Sequence, residues 1–411
     1  MIFHRKRSGS PAQMRVLAVI PAPRCFGLQN MTLEVFSRIS KQAKCHFLLS
    51  KWNDGEFPRR LKELNISYTE TWLGMFSKSL DWHNLRMTIE CLWRLPSAYL
   101  ELLRLLIRFR PSVIYLANYH EAILLWPLLL ALRSRVVCHM HDPPPATVFQ
   151  KCSFFIWRRA VGRFICVSNN VRNRLTSLER RRLPHLVIHN GVEINPLTFP
   201  RIRDDRFCHQ FGWPLDTIII GMTGQTSSHK GHEDFIAAAA LLRARHSNAR
   251  FILSVKRKAP FFDVIYDSRR THNLERHMRF VDWLPTPKDF FEAIDIFVLP
   301  SRHEEGFGLV VAEAGERGLP TVCTRSGGAV EIVHDGTTGI LVERRNPAQI
   351  ADAITRFIES ADFRQAAGRA ARRRIEDEFN LDRQSAQLLT ALSASAFVHR
   401  DPHEMKPALS R

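Results

Sequence analysis

Residues Pro300–Glu331 read PSRHEEGFGLVVAEAGERGLPTVCTRSGGAVE, and this stretch decides the fold. It follows Ile296–Leu299 (IFVL), an uncharged apolar run of the kind that a parallel strand buried on both faces requires. A polar loop and Gly306-Phe-Gly308 lead into a helical pattern over Leu309–Arg317. Gly318 and Pro320 stop that pattern before a second strand, Thr321–Thr324. The turn leaves backbone N–H groups free at a helix N-terminus, which suits a phosphate. Glu305 and Glu313 frame the turn, about two helical turns apart. A carboxylate at the Glu313 position can accept hydrogen bonds from ribose hydroxyls.

The same βα rhythm runs outward in both directions, the signature of a doubly wound parallel sheet. Upstream, the second domain restarts at Thr217–Met222 and runs into GMTGQTSSHKG. There Gly224 permits close backbone approach, and Lys230 stands just before a helix over Gly231–Arg245. Neither GxxxxGK[ST] nor GxGxxG is present, so the loop is neither a P-loop nor a dinucleotide fingerprint. A lysine after such a loop still reaches a diphosphate as a point charge.

The first domain is expected over 14–195, with strands at Arg15–Pro21, Cys45–Ser50, Val113–Ala117, Val136–Met140 and Phe164–Ser168. Arg24–Asn30 reads as a loop, Met31–Ala43 as a helix, and Ser168 as the cap of a helix over Asn169–Ser177. Leu186–Val192 closes the domain, with Asn190-Gly191 as a turn signal. His141 follows a strand end, where open α/β sheets bind ligands, and could bond a sugar hydroxyl or phosphate; a structural role is the alternative. Residues 1–13 read as a loose basic leader, 196–215 as a linker and 216–380 as the second domain. Residues 381–395 form a last amphipathic helix, and 396–411 a tail.

Length and 45% hydrophobic content allow two cores. Eight cysteines without a C-x-x-C pair point to free thiols and a reducing compartment. No apolar run reaches the length of a membrane span. The net charge of +19 is uneven: residues 1–200 hold 29 basic and 12 acidic side chains, and the remainder 30 and 28. The first half therefore suits a polyanionic partner, an anionic membrane, a phosphorylated acceptor or nucleic acid, with simple solubility as the alternative. Gly74–Arg110 sets Trp82 and Trp93 among Arg86, Arg94, Arg104 and Arg108, the pattern of a helix lying on a membrane or of one packed on the sheet with a basic edge.

EGFGLVVAEA (Glu305–Ala314) resembles the E-x7-E element of the retaining glycosyltransferases of family 4, which have the GT-B fold. The resemblance continues through Gly318–Val342, VIHNGVE (Val187–Glu193), FICVS and GMTGQTSSHKG. It implies two Rossmann-like domains facing across a cleft, with a nucleotide-sugar donor held mainly by the second. By position, Glu313 would bind the ribose and Glu305 would lie near the donor sugar. Lys230 would neutralise the diphosphate with help from backbone N–H groups of Phe307, Gly308 and Leu309. His141 would reach from the first domain towards the donor sugar, and the last helix would cross back to that domain. Two positions depart from the family pattern. Gln225 stands where an arginine is common, so it can donate hydrogen bonds to the donor but brings no charge. Gly27 alone remains where paired glycines often line the acceptor side of the first-strand loop.

Without an Asp-x-Asp in a strand-end loop, stabilisation of the leaving group is expected from Lys230 and the helix N-terminus, with no metal and no cofactor. The expected activity is transfer of a sugar, with retention, to a glycan or lipid-linked acceptor in cell-envelope or polysaccharide synthesis. The expected place is the cytoplasm or the inner face of a membrane, and nucleic acid is not the expected partner. Competing readings are another nucleotide-sugar enzyme of this fold, such as an epimerase, and a polyanion-binding protein with a vestigial cleft.

Overall fold

The computed structural model describes residues 13–396 apart from 22–24, 26, 74–81, 143–153, 176–183, 258–259 and 283–287. The basic leader to residue 12, the tail from residue 397, the Gly74–Asp81 part of the basic segment and Ser177 lie outside the described residues. The chain divides into two compact units. One comprises Met1–Cys166, Arg174–Ile188 and Ser385–Arg411; the other comprises Val167–Asn173 and His189–Gln384.

The first unit is built on seven strands: β1 (Arg15–Ile20), β2 (Lys44–Ser50), β3 (Ser67–Thr71), β4 (Val113–Leu116), β5 (Val136–Met140), β6 (Arg163–Cys166) and β7 (His185–Val187). All pair in parallel in the order β3-β2-β1-β4-β5-β6-β7, with Val16 opposite both Cys45 and Val113. Val16–Ile20 is buried throughout, as a central strand covered on both faces must be. The first helix spans Gly27–Ile39, so it starts inside the segment expected to be a loop and ends before Ala43. Met31, Leu33, Val35, Phe36 and Ile39 carry its buried face, whereas Gly27, Gln29 and Asn30 lack the apolar period that would have marked the opening turn. The last strand of this sheet, β7, overlaps only the start of the closing segment Leu186–Val192. Helix Trp82–Arg108 is a single element of 27 residues with Pro96 inside it.

The second unit has six parallel strands: β8 (Ile218–Thr223), β9 (Ala249–Val255), β10 (Met278–Asp282), β11 (Ile296–Leu299), β12 (Thr321–Thr324) and β13 (Gly339–Val342). Their order is β10-β9-β8-β11-β12-β13. Each sheet grows outward in both directions from its first strand, so it reverses beside that strand, at β1/β4 and at β8/β11. Such switch points are where open α/β sheets present a crevice at their carboxyl ends. The seven cysteines of the described residues are free thiols, and no described helix is long and apolar enough to cross a membrane.

Segment Val167–Asn173 leaves the first sheet after β6 yet belongs to the second unit, and Glu331 is the reason. Its carboxylate accepts from the backbone N–H of Asn169 (2.9 Å) and Asn170 (2.8 Å) and from Asn169 Nδ2 (2.8 Å). Nε2 of His189 lies 2.9 Å from Oε2. Burial pushes this carboxyl up, but the hydrogen bonds from His189, Asn169 and Asn170 outweigh it and hold the group at about 2. Ser168 caps the short helix Asn169–Arg174 as expected, accepting from Val171 N at 3.1 Å, and donates to the Gly306 carbonyl at 2.6 Å.

A depressed folded value means that the stabilisation is present above the unfolded value near 4.5 and disappears as pH falls towards 2. Glu331→Gln should therefore lower stability by about 2 kcal/mol at pH 7, after allowing for partial solvent screening. The gap to wild type should shrink to roughly a quarter near pH 2.5. Chemical denaturation at the two pH values measures it, and a pH-independent gap would contradict the charge-based account.

Candidate functional site

The loops after β8 and β11 emerge side by side at the switch point of the second sheet. Arg302 N donates to the His229 carbonyl at 2.8 Å, which stitches them together. Arg302 itself is held by Asp234 (2.7 and 2.8 Å) and Glu233 (2.6 Å) on the helix that follows the β8 loop, His232–Arg243.

This juxtaposition brings two of the expected site residues into direct contact. Lys230 Nζ lies 2.8 and 2.9 Å from the two carboxylate oxygens of Glu305, and the Ser301 hydroxyl also bonds Oε1. Both members of the ion pair are largely withdrawn from solvent, so removing either leaves a poorly compensated charge. Glu304 plays a different part: its carboxylate pairs with Arg344 at 2.5 Å. The two neighbouring glutamates are thus separated by their partners, which only the fold could reveal. Ser301 and Arg344 escaped sequence reading because nothing local marks them.

Gly224 is buried beneath the aliphatic stem of Lys230, whereas Gln225 is exposed. Gly308 sits at φ +94° as the N-terminal cap of helix Leu309–Glu316, where a side chain would be strained. The backbone N–H groups of Phe307 and Gly308 donate to nothing among the described residues. The loop is supported from below by Gly327, whose φ is +55° and where a Cβ would overlap the Glu305 carbonyl. Gly328 N donates to that carbonyl at 2.8 Å.

Glu313 lies one turn into the helix and is mostly buried. Burial, reinforced by the charge of Glu316, pushes its carboxyl up to about 8. Such a carboxyl is substantially protonated at neutral pH, which suits an exchange of hydrogen bonds with sugar hydroxyls. Glu316 is spent elsewhere, on Arg372 (2.9 Å), Arg317 (2.7 Å) and Asn195 N (2.8 Å).

Two expected residues lie in the first unit. Gly27 opens helix Gly27–Ile39 and is exposed. His141 follows β5; its ring packs on His139 at 4.3 Å, and its enclosed Nε2 has no hydrogen-bond partner among the described residues. Burial and the neighbouring His139 hold it well below the ordinary imidazole value, so it is neutral at physiological pH. His139 in turn bonds the Tyr115 hydroxyl through Nδ1 at 2.8 Å. No group of three or more potential metal ligands occurs among the described residues.

Residues 204–374 match the family model described as glycosyl transferases group 1, and residues 83–195 match that described as glycosyltransferase family 4. The glycogen synthase of Mycobacterium tuberculosis is 31% identical over 246 residues, 59% of this chain and 56% of that protein. A D-inositol 3-phosphate glycosyltransferase of Arthrobacter is 30% identical over 220 residues, 52% of this chain and 51% of that protein. The chain therefore spans about half the length of the curated relatives it matches. A glycosyltransferase from Rickettsia africae superposes with TM-score 0.75 at 18% identity over 94% of this chain and 99% of that one. Anabaena HepE, solved in complex with UDP-glucose, gives 0.76 at 19% identity over 93% and 100%. The fold shared with these structures is GT-B.

The raised value of Glu313 has a stability sign. Between about 4.5 and 8 the folded chain holds a proton that the unfolded chain has lost, so stability falls as pH rises through that window. Glu313→Gln should accordingly be near neutral at pH 5 and stabilising by more than about 1 kcal/mol at pH 8.5. Denaturant midpoints at both pH values test this; a variant less stable than wild type at pH 8.5 would refute it.

Proposed function

We propose that this chain, with a family 4 glycosyltransferase domain in its first half and a group 1 glycosyl transferase domain in its second, is a retaining glycosyltransferase that uses a nucleotide-diphosphate sugar. The observation that carries the reading is the Lys230–Glu305 pair set against the N-terminus of helix Leu309–Glu316, on the strand-end side of a sheet switch point. A cation and a helix N-terminus side by side form a diphosphate site. Transfer separates a sugar cation-like centre from a departing nucleoside diphosphate, and fixed positive groups stabilise that leaving charge. Lys230 supplies charge, and Phe307, Gly308 and Leu309 supply backbone donors. Gly224 and Gln225 line the approach, and Glu313 takes the ribose hydroxyls. The carboxylate of Glu305 is engaged by Lys230 and Ser301, which favours a positioning and electrostatic part over attack on the sugar. His141, a neutral imidazole with one unengaged nitrogen, and Gly27 are assigned to the sugar and the acceptor side. The reaction as proposed needs no metal or cofactor.

The acceptor is a glycan or lipid-linked glycan of the cell envelope, approached from the cytoplasmic side. Support comes from helix Trp82–Arg108, where Ile89, Leu92, Trp93, Leu100, Leu103 and Ile107 are exposed at helical spacing, Trp93 by 84%. Arg86, Arg104 and Arg108 accompany that stripe at the surface. An apolar stripe flanked by arginine suits the headgroup region of an anionic bilayer.

Lys230→Ala and Glu313→Gln should each lower transfer, in a panel of UDP-, GDP- and ADP-sugars, by about 100-fold while the circular dichroism spectrum stays native. Wild-type turnover in either would sink that residue's assignment, and binding of nucleic acid with no nucleotide-sugar binding would favour a polyanion-binding protein. Sedimentation with phosphatidylglycerol vesicles tests the helix: a Trp93→Ser, Ile107→Ser variant should bind roughly tenfold more weakly. Equal binding would remove the stripe from the membrane reading.

A further inference from the structure

Beside Lys230, two histidines from different loops touch. The rings of His229 and His303 lie with centroids 4.1 Å apart at 73°. Both are exposed at the mouth formed by the β8 and β11 loops, at the point where Arg302 N bonds the His229 carbonyl. We propose that these two imidazoles complete the diphosphate site of the donor, and that the arriving phosphates draw a proton onto the pair. The proposal rests on the donor-site reading above and names two further residues of that site.

Position comes first. His229 directly precedes Lys230, and His303 stands two residues before Glu305, so the ion pair carries both rings with it. No ring nitrogen of either histidine bonds a protein group among the described residues. The nearby carboxylates are already committed, Glu305 to Lys230 and Ser301, Glu304 to Arg344, and Glu233 and Asp234 to Arg302. Among the described residues the rings therefore have no anionic partner, which leaves them to serve an external one.

Charge follows from the surroundings. His303 is held below the ordinary imidazole value, first by its local desolvation, then by His229, Arg345 and Arg344. With the His229 ring in contact and Arg345 and Arg344 near it, His303 resists a positive charge in the free protein. A diphosphate brings the opposite sign, so binding it raises the affinity of the pair for a proton, and by linkage a proton raises its affinity for the diphosphate. Gln225 cannot bring a fixed charge to this site; the histidine pair brings a conditional one.

The test is calorimetric titration of the full chain with UDP-glucose, whose esterified diphosphate keeps its charge between pH 6 and 8. Titrations at both values include a chelator, so that no metal bridges the rings. The His229→Gln, His303→Gln variant should bind within about twofold of wild type at pH 8 and about fivefold more weakly at pH 6. Proton uptake, from buffers of different ionisation enthalpy at pH 6.5, should be smaller in the variant. Glu313 titrates in both proteins and cancels from the comparison. If the double variant misfolds, the single His229→Gln and His303→Gln variants carry the same measurement, each with a smaller loss at pH 6. A wild-type-to-variant ratio that is the same at both pH values, with equal proton uptake, would overturn the proposal and leave the donor site standing. If UDP-, ADP- and GDP-glucose all fail to bind wild type at either pH, the donor reading falls and this proposal with it.

Discussion

Everything at the candidate site depends on β8 and β11 lying side by side. Their pairing, Ile220 opposite Ile296 and Gly221 opposite Phe297, joins segments that are distant in sequence. Because the sheet reverses there, the two loops leave in a common direction with no strand between them. Lys230 and Glu305, 75 residues apart in the chain, meet as a consequence. Helix His232–Arg243 then locks the geometry by taking Arg302 into a double carboxylate grip.

The electrostatics of the second unit follow from how its carboxylates are allotted. Glu331, Glu304, Glu305 and Glu316 each face designated donors, and each is thereby removed from competition with an incoming anion. Glu313 is the exception: buried, with the charge of Glu316 acting on it, it is inclined to hold its proton. The outcome, among the described residues, is a strand-end region whose uncommitted groups include backbone N–H donors, imidazoles and a largely protonated carboxyl.

Much of this was legible in the residues. The apolar run IFVL, the glycine turn and the stop at Gly318 mark β11, the helix and β12 to within a residue, because each element is encoded by its own local pattern. Lys230 and the two glutamates stood out by residue type and spacing. What stayed hidden depends on contacts between distant segments. Glu331 looked like one more residue of a family-like stretch, yet it fastens Val167–Asn173 to the second unit. His229 and His303 each look like ordinary surface histidines until the sheet order places them in contact. Gly27 misled in the opposite sense: a lone glycine after a strand reads as loop, but here it opens a helix whose buried face begins only at Met31.

The chain's allocation between its two units has an evolutionary consequence. The second unit is not one continuous stretch, since Asn169 and Asn170 come from between two strands of the first sheet. A gene fragment beginning after β7 would encode all six strands of the second sheet yet omit three of the four hydrogen-bond donors to Glu331. Exchange of this half between related genes therefore keeps its carboxylate satisfied only when the short segment ahead of β7 travels too, or when the recipient supplies an equivalent one. Modular as the two sheets look, the unit of inheritance is larger than either.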